Sequence, residues 1–203
     1  MARIAILDYG MGNLRSVRRA VERVGGSAVV TSAPDEAARA DAAIVPGVGA
    51  FGACMRGLHE TGLDAVVREL ASSGRPVLGV CLGMQVLFEA SEEDGDPGLG
   101  LVPGVVRRLE PGPGVKVPHM GWNEVRWTAD HPITRGIPSG TRFYFVHSYA
   151  PDVVDGVTVG ATTHGREFTS AVAAGSVFAT QFHPERSGDA GLALYEAFVK
   201  EIA

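Results

Sequence analysis

The feature that most constrains this chain is a set of short, continuously apolar segments separated by amphipathic ones. Arg3–Leu7, Ser27–Thr31, Asp41–Val45 and Pro76–Val80 each read as a strand with no polar face. Such strands are buried on both sides, so they belong to a parallel sheet with a helix layer above and below. Between the first two, Leu14, Val17, Val21 and Val24 recur three and four apart, while Arg15, Arg18, Arg19 and Glu22 fall mostly outward. That is one apolar helix face, stopped by Gly25-Gly26. Pro34–Ala40 reads as a short helix, Leu63, Val66, Val67 and Leu70 mark another, and Met84–Ala90 a third. The acidic, Gly/Pro-rich stretch Ser91–Gly100 reads as a surface loop.

Beyond that loop the pattern changes. Val102–Leu109, Glu124–Trp127, Arg142–Tyr149, Val157–Thr163, Ser170–Ala174 and Ser176–Phe182 read as strands between Gly, Pro and Asp turns. Leu192, Tyr195, Phe198, Val199 and Ile202 mark a closing helix. The predicted fold is α/β: three layers, a mostly parallel central sheet with helices on both faces, and an antiparallel extension of the same sheet. Residues 1–203 form one domain in this reading, and a chain of this size buries roughly 70% of its unfolded surface without disulfide or metal.

Composition removes several function classes. The net charge is −5, from 18 Lys+Arg against 23 Asp+Glu, which offers no basic footprint for nucleic acid or anionic lipid. No window approaches the roughly 18 apolar residues of a membrane span, and the opening apolar run meets Asp8 too soon for a signal peptide. Two cysteines, Cys54 and Cys81, make neither a disulfide framework nor a four-cysteine metal site. No metal or cofactor is expected, and free thiols suit a reducing cytoplasm. Glycine is in surplus, 27 of 203 residues, against about 7% ordinarily.

The strongest chemical signal is Gly79-Val80-Cys81-Leu82-Gly83, directly after an apolar strand and before a helical pattern. This is the setting of a nucleophile elbow, in which a sharp turn lifts the reactive side chain out of the sheet. A cysteine there also sits at a helix amino terminus, which favours the thiolate. A cysteine nucleophile needs a base, and His183 stands out among the six histidines through Phe182-His183-Pro184-Glu185. Pro184 fixes the next φ, and the carboxylate two residues on can turn back to orient the imidazole. Attack on a carbonyl also needs donors aimed at the developing charge. The Val48 or Gly49 amide, in the glycine turn closing the third strand, and the Leu82 amide are candidates. Gly10-Met11-Gly12 after the first strand invites a dinucleotide reading, but the third glycine position holds Arg15 and no acid ends the second strand.

Together these motifs resemble the class I, triad-type glutamine amidotransferases, whose fold is flavodoxin-like. The resemblance rests on Pro46-Gly47-Val48-Gly49, on Gly79–Gln85 and on His183-Pro184-Glu185. It implies that Cys81 attacks the side-chain amide of L-glutamine, His183 serves as base and then acid, and Glu185 orients it. Gln85, Gly47, Ser148 and Tyr149 match substrate-contacting positions. Three further stretches are similar to the glutaminase subunits of imidazole glycerol phosphate synthases, of histidine biosynthesis. They are Asp8–Leu14, Pro46–Phe51, and Pro118–Asn123 with Phe145–Tyr149 downstream. That subfamily delivers ammonia to a (β/α)8 cyclase subunit in a heterodimer, and Asn13, Ser16, Met120, Trp122, Asn123 and Arg186 match stretches facing it. Ala150 and Arg186 depart from the usual residues after His-Ser-Tyr and His-Pro-Glu. Two alternatives stay open: the glutaminase of another synthase, of the vitamin B6 or anthranilate type, and a non-catalytic interaction subunit with a vestigial triad.

Overall fold

The computed structural model describes residues 2–202. The first half alternates as β1 (Arg3–Leu7), α1 (Leu14–Arg23), β2 (Ser27–Thr31), α2 (Pro34–Ala38), β3 (Ala42–Gly47), α3 (Phe51–Thr61), α4 (Leu63–Ser72) and β4 (Val77–Cys81). A single helical turn, α5 (Leu82–Gln85), follows, then β5 (Phe88–Ser91) and β6 (Val102–Arg108). The rest runs β7 (His119–Trp127), β8 (Thr141–His147), β9 (Tyr149–Pro151), β10 (Thr158–His164), β11 (Arg166–Ala174), β12 (Val177–Thr180) and α6 (Gly188–Ile202).

The main sheet has the order β2-β1-β3-β4-β12-β11-β10-β7-β8. From β2 to β12 every pairing is parallel, and from β12 to β8 every pairing is antiparallel. The apolar strands feed two cores, as their composition requires. Ile4 and Ile6 of β1 point into the core that holds Val17, Val21, Tyr195 and Phe198, beneath α1 and α6. Ala5 and Leu7 point into the opposite core, with Leu58, Leu63 and Val67 of α3 and α4. No helix of the described residues is long and apolar enough to cross a membrane.

Three elements differ from the sequence reading. The helix expected over Met84–Ala90 is one turn long, and the chain then extends into β5. Val86, Leu87 and Phe88 carry their backbone bonds to the returning chain, with Leu99 N donating to Val86 O (2.7 Å) and Leu101 N to Leu87 O (2.9 Å). Tertiary pairing outweighs local helical spacing there. Secondly, β5, β6 and β9 form a separate three-stranded sheet rather than extending the first. The segment read as one strand over Arg142–Tyr149 breaks at Ser148, where the chain leaves the large sheet for the small one. Thirdly, α3 is not evident in the sequence because two glycines lower its intrinsic propensity. Gly57 is needed for packing: a Cβ there would lie 2.5 Å from the Tyr9 carbonyl. The acidic loop caps this helix, with Phe51 N donating to Glu93 (2.8 Å) and Gly52 N to Asp94 (2.7 Å). Those carboxylates satisfy otherwise unpaired first-turn N–H groups at the positive end of the dipole.

The tightest backbone contact joins α5 to β3. A Cβ on Gly83 would lie 1.8 Å from the Val45 carbonyl, and one on Gly47 2.5 Å from the Gly83 nitrogen. Gly83→Ala should therefore lower stability by about 1–3 kcal/mol, the usual penalty for overpacking. Gly112→Ala, where a Cβ meets nothing within 4 Å, should stay within about 0.5 kcal/mol. Urea unfolding midpoints of the two variants check the contrast.

Candidate active site

Parallel pairing places the chemistry at one end of the sheet. Gly47 is opposite Cys81 across β3 and β4, and Thr180 is opposite Val80 across β12 and β4. The loop leaving β3, the turn leaving β4 and the segment leaving β12 therefore emerge side by side at the carboxyl ends of the strands. That is where open α/β sheets bind ligands. Cys81 has φ 56°, the only positive φ among the described residues other than glycines. Such a conformation costs about 1–3 kcal/mol and persists only when its surroundings enforce it. Cys81 is buried, with Gln181 Nε2 at 3.8 Å and the Val146 carbonyl at 4.0 Å from its sulfur. The helix beyond it is one turn, so the dipole contributes less than the sequence reading implies.

β12 leads through Gln181 and Phe182 to His183, and a 3₁₀ turn over Pro184–Arg186 brings Glu185 back beneath the ring. His183 Nδ1 donates to Glu185 Oε1 at 2.8 Å, with the two side chains only 4% and 1% exposed. Two further bonds anchor the residue: its backbone N–H donates to the Tyr144 carbonyl (2.9 Å), and Ser187 Oγ donates to the His183 carbonyl (2.6 Å). Nε2 makes no hydrogen bond and is left for chemistry. Burial alone pulls His183 down, but the neighbouring Cys81 and the Glu185 carboxylate outweigh it and raise the imidazole to about 10.

Cys81 and His183 line one pocket of about 410 Å³ with Val48, Gly49, Leu82, Gln85, Ser148 and Tyr149. The structure thus gathers the predicted catalytic, oxyanion and substrate residues around one place, with two of them behind the lining: Glu185 lies on the far side of the His183 ring. Gly47 is not in the lining; it is packed beneath, against Leu82 and Gly83. Gln85 is already engaged, donating from Nε2 to the Tyr149 carbonyl and to Gln181 Oε1, each at 2.9 Å. Cys54 lies behind the β3 loop with its sulfur 3.8 Å from the Val48 carbonyl, and burial pushes its thiol up to about 12.

The residues matched to a partner face are more scattered. Asn13 is exposed at the start of α1, and Ser16 is half-buried one turn on. Met120 and Trp122 are 64% and 52% exposed on β7. Arg186 stacks its guanidinium 4.3 Å over the Tyr144 ring, whose other neighbour is Trp122 at 6.2 Å. Asn123 is not free but hydrogen-bonded to Thr163 and His119. The sequence reading missed Gln181, His119 and His147 as site residues. His119 and His147 lie inside quoted motifs and Gln181 in the expected strand Ser176–Phe182, but only the fold shows that their polar atoms meet.

The family model for class-I glutamine amidotransferases matches residues 5–202. The chain belongs to that family. Among similar amidotransferase chains, the imidazole glycerol phosphate synthase subunit HisH of Moorella thermoacetica is 50% identical over 201 residues, covering 98% of this chain and 94% of its own. That of Nitrosomonas europaea is 49% identical over 211 residues, covering 98% and 99%. The fold agrees with solved amidotransferase-like structures: PurLQS from Thermotoga maritima has a TM-score of 0.78 at 21% identity, covering all of both chains. A glutamine amidotransferase from the same organism has a TM-score of 0.64 at 18% identity, covering 98% of this chain and 83% of that one.

The His183 shift has a testable sign. A base raised to about 10 stays protonated through neutral pH and loses its proton only as pH climbs toward that value. Replacing Glu185 with Gln removes one of the two acidic groups that raise it, so in Glu185→Gln the imidazole should titrate at lower pH. Histidine NMR titration of the two proteins measures this, and equal midpoints would contradict the electrostatic account.

Proposed function

We propose that this chain is the glutaminase subunit of an imidazole glycerol phosphate synthase, hydrolysing L-glutamine at Cys81 and passing ammonia to a cyclase subunit for histidine biosynthesis. The observation that carries the reading is the pairing of one strained, buried cysteine with a carboxylate-anchored histidine in a single pocket. The Cys81 sulfur attacks the carboxamide carbon, and the carbonyl oxygen takes the negative charge. Val48, Gly49 and Leu82 border the pocket where that oxygen develops, and their backbone amides are the donors assigned to it. Losing one such donor typically slows catalysis ~100- to 1,000-fold.

His183 Nε2 gives its proton to the departing nitrogen, so ammonia leaves and a thioester remains. Now neutral, His183 takes a proton from water, whose oxygen attacks the thioester. Collapse of that second tetrahedral species expels the sulfur and releases glutamate, and the proton stays on His183 for the next cycle. Glu185 holds the ring in the one tautomer that leaves Nε2 facing the pocket. The same name on relatives of about half-identical sequence favours this synthase over a vitamin B6 or anthranilate one. The intact constellation of Cys81, His183 and Glu185 speaks against a vestigial site.

Cys81→Ala in the complex should lose at least ~1,000-fold in glutamine turnover, as nucleophile removal does, while cyclase activity with added ammonia persists. Iodoacetamide should modify Cys81 well ahead of Cys54, whose thiol stays protonated up to about 12. Residual ammonia release by the variant at the wild-type rate would refute the mechanism. Co-purification with a synthase other than the cyclase would refute the pathway.

A further inference from the structure

A chain of hydrogen bonds crosses the molecule that the mechanism above does not use. It begins at Asn123 on β7. The Glu124 N–H donates to Asn123 Oδ1 (2.8 Å), and Asn123 Nδ2 donates to the Thr163 carbonyl (3.0 Å). A backbone donor on one side and a backbone acceptor on the other settle which end of the amide is which. The same Nδ2 lies 3.2 Å from His119 Nε2, which therefore accepts. His119 then bears its proton on Nδ1, 3.0 Å from His147 Nε2. His147 in turn bears its proton on Nδ1, 2.8 Å from the Tyr149 carbonyl. That carbonyl can only accept, so the far end demands the same direction as the near end.

The chain needs both rings neutral, because a protonated ring would set two N–H groups against each other. Burial, then His164, pulls His119 down to about 4. Burial, then His119, pulls His147 down to about 3. Stacking holds the His119 ring in place between Phe145 (4.8 Å) and His164 (4.1 Å). The directed chain ends at the Tyr149 carbonyl, and a second set of bonds, donated from Gln85, links that carbonyl to the nucleophile. The Tyr149 carbonyl also accepts from Gln85 Nε2, whose second proton goes to Gln181 Oε1, each at 2.9 Å. This turns Gln181 Nε2 toward the Cys81 sulfur at 3.8 Å.

We propose that Asn123, His119 and His147 are positioning residues for glutamine hydrolysis: they polarise one hydrogen-bond chain in a single direction, which fixes the Tyr149 carbonyl and, through Gln85, keeps the Gln181 amide on Cys81. The inference rests on the glutaminase reading for its kinetic consequence, but the chain itself does not.

Two measurements test it. In wild-type protein with labelled histidine, nitrogen NMR at neutral pH should find His119 and His147 both as neutral Nδ1–H tautomers. An Nε2–H tautomer or a protonated ring at either position overturns the proposal, and no variant has to fold. In the complex, with the cyclase at saturation, Asn123→Ala removes one link and should raise KM for glutamine roughly 3- to 10-fold, the worth of one buried hydrogen bond. Asn123→Asp presents an acceptor to His119 Nε2, so the chain must either reverse onto a carbonyl or charge a buried ring, and it should lose about a further tenfold. In a His119→Phe background, which keeps the stacked ring and cuts the chain, the extra loss of aspartate over alanine at 123 should shrink to the local penalty alone. Any local penalty of aspartate against the Thr163 carbonyl is common to both backgrounds and cancels. An undiminished difference, with additive effects, would mean a purely local role and defeat the proposal. Cys81→Ala is assayed alongside: turnover equal to wild type would refute the glutaminase reading while leaving the tautomer result intact.

Discussion

Gly83 sits so close to the end of β3 that a methyl group there would overlap the Val45 carbonyl at 1.8 Å, and Gly47 meets the same turn from the other side. This backbone-on-backbone contact is the constraint on which the site depends. It leaves no room for α5 to relax away from β4, so Cys81 is held at its positive φ. A strained residue needs a rigid frame, and β4 has one as an interior strand with parallel neighbours on both sides. The two neighbours are the strands that deliver the Val48–Gly49 loop and His183. Cys81, His183 and the Val48–Gly49 loop thus owe their proximity to one three-strand register.

Positive charge among the pocket's histidines is concentrated on a single imidazole. His183 and His147 are both buried and border the same pocket, yet one is raised to about 10 and the other lowered to about 3. Burial acts on both in the same direction. Only His183 has acidic groups beside it, Cys81 and Glu185. His147 instead feels the neighbouring histidines, His183 among them, and its one bond to an acceptor is with a neutral carbonyl. A second cation beside the first would have no counter-charge, so the ring that bonds to Tyr149 stays neutral. The same residue type is therefore held charged at one point of the pocket wall and as a neutral, fixed dipole at another.

What the sequence shows of this arrangement follows how local each feature is. The strands β1 to β4 declare themselves by unbroken apolar runs, and the elbow by its glycines at fixed offsets from Cys81. His183 and Glu185 are two residues apart with a proline between, so their pairing is nearly a local property. Gln85 and Gln181 are 96 residues apart, and His119 and His147 are 28 apart. No periodicity relates them, and only the strand register brings them together. The same reason hid β5: Val86–Phe88 reads equally as helix or strand in isolation, and its partner near Leu99–Val102 decides. The family resemblance supplied Gln85, Ser148 and Tyr149, but it presented His119 and His147 as marks of kinship and not as bonded atoms.

The buried polar side chains around the pocket have a common origin in the passage between two sheets. β8 ends at His147 and β9 begins at Tyr149, so Ser148 belongs to neither ladder. A backbone that changes sheets leaves carbonyls without strand partners, and buried carbonyls require donors. Leu109 N–H serves the Ser148 carbonyl at 2.8 Å, while the imidazole of His147 and the amide of Gln85 serve Tyr149. Apolar side chains at 85 and 147 would pack as well but would strand that carbonyl, at about 1–3 kcal/mol. The break in the strand is also what turns Ser148 and Tyr149 toward the pocket in place of one more rung of the ladder. Substrate access to this backbone and the demand for buried amides and neutral imidazoles are thus two consequences of one irregularity.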